Sequence, residues 1–105
     1  MRVTISHNRT KAEVIEYVDR SLNEMFQGVS GIPVRLTVTQ RTWQGSILTF
    51  ALTASLGLMS TPIKGTVEVT EHDLTVDADL GLLSRLVPEN TVREALGNRI
   101  KGLLK

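Results

Sequence analysis

The sequence predicts an α+β domain: one strand, a helix, four further strands and a closing helix. Three observations predict it. Apolar residues alternate with polar ones at Val3 and Ile5, at Val34, Leu36 and Val38, and through three later runs, the period of strands with one buried face. Thr10 to Phe26 carries an apolar stripe at helical spacing, and Pro88 to Leu103 carries a second. Short turns rather than long crossovers separate the four central strands, so they pair antiparallel.

Each element has its own local signal. Val3 and Ile5 point one way, and Arg2, Thr4 and Ser6 the other. His7-Asn8-Arg9 ends that strand. Thr10-Lys11-Ala12-Glu13 is a capping box, in which hydroxyl and carboxylate each satisfy the other's backbone amide. Val14, Ile15, Val18, Leu22, Met25 and Phe26 follow on one helical face, and Gly28 is the expected stop.

Val34 to Thr39 and Ile47 to Ala54 read as a hairpin around Trp43-Gln44-Gly45. A two-residue loop sets Val38 against Ala51 and Leu36 against Thr53. A three-residue loop sets Val38 against Phe50 and Leu36 against Leu52, which keeps apolar residues on one face and is preferred. Thr37, Thr39, Arg35 and Arg41 then share the outer face with Thr49 and Ala51.

Ile63 to Glu71 and Leu74 to Leu80 form a second hairpin around His72-Asp73. It sets Val69 opposite Val76 and Val67 opposite Ala78. Thr66, Glu68, Thr70, Thr75, Asp77 and Asp79 fall on the outer face. Pro88 suits the start of the last helix because the first position needs no amide proton. Val92, Leu96, Ile100 and Leu103 form its apolar face, with Arg93, Arg99, Lys101 and Lys105 opposite. Gly97 and Gly102 each weaken it by about 1 kcal/mol relative to alanine, so it depends on packing against the sheet. Both helices cover one sheet face and leave the other open, a helix-grip or TBP-like arrangement over 1–105 as a single domain.

Composition excludes several functions. There is no cysteine, so disulfides, thiolate catalysis and cysteine zinc sites are absent. The net charge is +1 and the basic residues are scattered, which argues against nucleic acid as a partner. Only Trp43 offers a ring for base stacking beside Arg2, Arg35 and Arg41. No apolar run approaches the ~20 residues of a membrane span. Met1 to Ser6 alternates instead of forming a signal-peptide segment, so a cytoplasmic location is expected.

Little suggests catalysis, and no cofactor or metal is expected. His72 lies between Glu71 and Asp73, but polar residues at a hairpin turn explain this better than a metal site, which needs three or four converging ligands. Glu68 and Asp77 fall opposite each other in the expected register. Such a pair raises one carboxyl's pKa, whereas an exposed face beside Lys64 carries no such role. Glu68, Asp77 and His72 are the residues available to an enzyme of cyclase type.

The unusual feature is apolar. Ser55 to Pro62 links two strands yet carries Leu56, Leu58 and Met59, and Leu80 to Val87 links a strand to the last helix yet carries Leu82, Leu83 and Leu86. Such side chains either close the end of the core or form an exposed patch that marks a partner. Leu56, Leu58, Met59, Leu82, Leu83 and Leu86 are the candidate contact residues. An alternative is a carrier holding a small hydrophobic ligand between sheet and last helix, lined by Phe50, Leu52, Val67, Val76 and Leu96.

Gly65-Thr66-Val67-Glu68-Val69, then Leu74-Thr75-Val76-Asp77-Ala78-Asp79-Leu80-Gly81-Leu82-Leu83, then the terminal amphipathic helix, resemble the polyhydroxyalkanoic acid system protein family. The opening strand and capped helix, Val3 to Phe26, fit the same pattern. The resemblance implies a small bacterial, non-enzymatic protein associated with storage-polyester granules, with the granule surface or a granule protein as partner. It supplies no catalytic residues. A threonine-lined open sheet face also leaves a homodimer open.

Overall fold

A computed structural model describes residues 1–26 and 34–104, and of Leu86 the backbone alone. Gly28 and Lys105 lie outside the described residues. The elements are β1 (Arg2–Ser6), α1 (Lys11–Phe26), β2 (Arg35–Gln44), β3 (Ile47–Leu56), β4 (Met59–Val69), β5 (Asp73–Asp79), α2 (Leu83–Leu86) and α3 (Glu89–Leu103). The α+β class and the strand–helix–four-strand–helix order are as expected, with the short α2 added. The five strands form one antiparallel sheet in the order β1-β5-β4-β3-β2.

The capping box forms as its residues dictate. The Glu13 amide donates to Thr10 Oγ1 at 3.2 Å, and Glu13 Oε1 accepts from the Thr10 amide at 3.3 Å. Val14, Val18, Leu22, Met25 and Phe26 are buried and Ile15 is half-buried. The core also takes Val3 and Ile5 of β1, alternate residues of β3, β4 and β5, and Val92, Leu96 and Ile100 of α3. Phe26 of α1 meets Phe50 of β3 with ring centroids 5.1 Å apart and planes tilted by 45°. Arg99 Nε donates to the Glu24 carbonyl at 3.2 Å, tying α3 to α1.

Which side chains face the core follows the sequence pattern, but both expected registers are displaced by two residues. Val38 pairs with Leu52 and Leu36 with Ala54, instead of with Phe50 and Leu52. The turn is the two residues Gly45-Ser46, in place of the three expected at Trp43-Gln44-Gly45, with Gly45 at φ +61°. A left-handed glycine at the first turn position is the type II′ signature. Similarly, Val69 pairs with Leu74 and Val67 with Val76. That turn is Glu71-His72, closed by the Thr70 amide donating to the Asp73 carbonyl at 2.8 Å. The Thr70 hydroxyl also accepts from the Asp73 amide at 3.0 Å.

A bulge between Val38 and Gln40 corrects a further expectation. The extra residue reverses the facing of everything after it. Arg41 therefore lies opposite Phe50, on the helix side, and not on the outer face. Its guanidinium donates to the Asp19 carbonyl at 2.8 Å. Trp43 turns the same way, and its Nε1 donates to Asp19 Oδ1 at 3.0 Å.

The segment expected as a loop, Ser55 to Pro62, is instead a tight hairpin. The β3–β4 ladder continues to Leu56↔Met59, and Gly57 (φ +60°) and Leu58 make the turn. In a two-residue hairpin the closing pair exchanges both hydrogen bonds, so by alternation Thr53↔Pro62 is a pair that does not. The missing amide proton of Pro62 points away from β3. There β5 has already ended, because its last partner on β4 is Lys64. Proline is tolerated for that reason.

Candidate functional site

The outer sheet face holds the residues that could suggest acid–base chemistry, and the register separates them. Asp77 has Thr66 on one side and Arg2 on the other. Glu68 lies between Thr75 and Ile47. The expected Glu68–Asp77 pair does not form, because the two-residue displacement carries each carboxylate to a different row. Asp79 lies opposite Lys64. Each of these carboxylates has a base or a hydroxyl opposite it on at least one neighbouring strand, and none faces another acid, which relieves the like-charge repulsion of the expected register. Thr4 and Thr75 share a hydrogen bond at 3.1 Å, and the Ser6 hydroxyl donates to Asp73 Oδ1 at 3.2 Å.

Both histidines have structural places. His7 is buried at the end of β1, with Nε2 3.0 Å from the Thr70 carbonyl and Nδ1 accepting from the Arg9 amide at 3.2 Å. Both ring nitrogens are thereby occupied by backbone groups of the fold. His72 is exposed in its turn. Among the described residues no group of three or more His, Asp or Glu side chains could hold a metal ion.

The apolar candidates divide by position. Leu58, at the tip of the β3–β4 hairpin, is fully exposed, Met59 is 55% exposed and Leu82 is 53% exposed. Leu56 is half-buried. Leu83 is 2% exposed, a core residue that offers no surface. The side chain of Leu86 lies outside the described residues. The split follows from the chain's path after β5. Gly81 adopts φ +54°, its amide donates to Asp79 Oδ1 at 3.1 Å, and the Leu83 amide donates to the Leu80 carbonyl at 3.0 Å. This tight turn sends Leu80 and Leu83 inward and leaves Leu82 facing out.

Leu56 and Met59 continue the helix-side face of the sheet, and Leu82 approaches from the connection opposite. With Val34, Ala54 and Leu83 they line a narrow apolar groove of about 20 Å³. Leu58 projects beyond it. Four apolar side chains therefore gather at one end of the sheet, from segments 23 or more residues apart in the chain when Leu82 is set against Met59.

A second apolar space, also about 20 Å³, lies between sheet and α3 and is lined by Leu52, Leu96, Phe26, Ile63, Val92 and neighbours. It holds about one water molecule, against the roughly 300 Å³ or more of a ligand pocket. Of the residues expected to line a carrier cavity, Phe50, Val67 and Val76 are packed solid. Carriage of a ligand at this place requires sheet and helix to part.

No described helix is long and apolar enough to cross a membrane. No family model, curated protein or solved structure matches the chain.

Proposed function

We propose that this chain acts by adsorption, laying the apolar end of its sheet against a hydrophobic surface, and that the surface is a storage-polyester granule or a protein coating one. The observation that carries the reading is the exposure of Leu58 beside Met59 and Leu82 at a single end of the fold. Contiguous exposed apolar side chains on an otherwise polar surface are where a protein meets an apolar partner. A type II′ turn presents Leu58 on a rigid projection, so little conformational freedom is lost on contact.

The polyester comes from the resemblance carried by Gly65 to Leu83 and the terminal helix. An aliphatic polyester surface offers ester and methylene groups and no charge, which suits leucine and methionine contacts better than ionic ones. The reading is non-enzymatic, since Glu68, Asp77 and His72 lie exposed and apart. It carries a cytoplasmic location with it.

The absence of cysteine allows a single-site test. Leu58→Cys and Thr66→Cys variants are labelled with a polarity-sensitive dye and mixed with native polyhydroxyalkanoate granules. The reading predicts a blue shift for the label at position 58 and none at position 66, on the open sheet face. Equal shifts at both sites, or none at 58, contradict it.

A further inference from the structure

The chain has three methionines, and the fold shelters two of them. Met25, on the buried face of α1, is 2% exposed. Met1 is half-buried, packed against the core at the inner apolar space between sheet and α3. Met59 is 55% exposed. It opens β4 as the partner of Leu56 across the β3–β4 hairpin, and it lines the groove at the apolar end with Leu56, Val34 and Leu82.

The apolar end therefore presents leucines and one thioether. Leucine is inert to peroxides, whereas a thioether takes up oxygen and is reversibly converted to a sulfoxide. No thiol competes for the oxidant, because the chain has no cysteine. The step is a two-electron oxidation. A hydroperoxide transfers one oxygen to Met59 Sδ: the O–O bond breaks, an S–O bond forms, the sulfur is oxidised, and the peroxide is reduced to water or an alcohol. Two thiols of a sulfoxide reductase reverse it, leaving as a disulfide while the oxygen departs as water.

The product changes what this end can touch. A sulfoxide oxygen laid against an apolar surface loses its hydrogen bonds to water and gains none in return. The fold itself is spared, since Met59 belongs to the rim of the sheet and not to the buried core.

We propose that Met59 is an oxidation switch of the apolar end: as a thioether it lets the end adsorb, and as the sulfoxide formed by a hydroperoxide it releases the end. What is switched rests on the adsorption proposed above. The selectivity for Met59 rests on burial alone.

The test treats the whole chain with hydrogen peroxide until one oxygen has been gained, and locates that oxygen by peptide mass mapping. Treated and untreated chains are then compared by thermal unfolding, by retention on an alkyl matrix and by binding to native polyhydroxyalkanoate granules. The expected result is oxygen on Met59 ahead of Met1 and Met25, an unchanged unfolding midpoint, earlier elution, and granule binding weakened about tenfold. A methionine sulfoxide reductase with a dithiol restores both retention and binding. Met59→Leu is expected to bind equally with and without peroxide, and Met59→Gln to behave as the oxidised chain does. Oxygen entering Met1 or Met25 as fast as Met59 overturns the proposal. So does equal retention of the treated and untreated chains, or a peroxide effect on retention that persists in Met59→Leu. Retention that falls on oxidation while the untreated chain ignores granules upholds the switch and overturns the granule as its surface.

Discussion

Phe50 lies directly across from Gly65, on the neighbouring strand, and its ring occupies the space that a side chain at 65 would need. A Cβ built there would stand 2.7 Å from Phe50 Cζ and 2.5 Å from the Asp77 carbonyl oxygen. The second contact is with backbone, which cannot rotate away. Gly65→Ala is therefore expected to destabilise the fold by about 1–3 kcal/mol. Gly102 in α3 has nothing within 4 Å of the same construction. Gly102→Ala is expected to stabilise by up to about 1 kcal/mol through helix propensity. Urea unfolding of the two variants should move in opposite directions.

Leu82 and Leu83 are adjacent in sequence and opposite in environment, one 53% and the other 2% exposed. Leu83→Ala should cost about 2–5 kcal/mol, the usual range for a buried leucine. Leu82→Ala should stay within about 0.5 kcal/mol of the parent. Thermal unfolding separates them, and similar losses in both variants would contradict the described turn after β5.

The helix cap and one terminal contact make stability depend on acid pH. The Thr10 hydroxyl, donating to Glu13 Oε1 at 2.9 Å, and then the Thr10 amide hold the Glu13 carboxyl below its ordinary value. Glu89 is lowered by its hydrogen bond and attraction to the Met1 ammonium, 2.9 Å away. A carboxylate lowered in the folded state contributes stability that is fully present above its unfolded pKa of about 4.3. That contribution is lost as pH falls through the lower folded value. Thr10→Ala should raise the pKa of Glu13 and lower stability at pH 7 by about 1 kcal/mol. Its decline in stability below pH 4.5 should be shallower than the parent's, as read from unfolding midpoints across pH.

Much of this fold was legible because strand faces have period two. Val3, Ile5, Val67, Val69, Leu74 and Val76 are buried as their alternation requires. The same periodicity hid the register. Moving the second turn by one residue shifts its pairing by two and leaves every face unchanged; in the first hairpin a two-residue turn and the bulge together move Val38 from Phe50 to Leu52 and keep it on its apolar face. Only the turn chemistry distinguishes these registers, in Gly45 at the first turn position and Thr70 closing the second hairpin. The bulge after Val38 left no comparable mark: Arg41 lies on the helix side instead of the outer face, and Trp43, expected in the turn, lies within β2 opposite Leu48. The apolar end was half legible. Leu58 and Met59 stand out as apolar residues in a segment that reads as a loop, but nothing in the string Leu82-Leu83 tells which leucine faces inward. That depends on Gly81 and the Asp79 contact.

The central claim is that the apolar end holds the chain on a granule. Its most direct test is co-sedimentation of the wild type and a folded Leu58→Asp, Leu82→Asp variant with native polyhydroxyalkanoate granules, at low and at high salt. The account predicts that the wild type sediments with the granules at both salt concentrations, since apolar contact is not screened, and that the variant stays in the supernatant. Binding by the variant equal to that of the wild type, or wild-type binding abolished by salt, would contradict it.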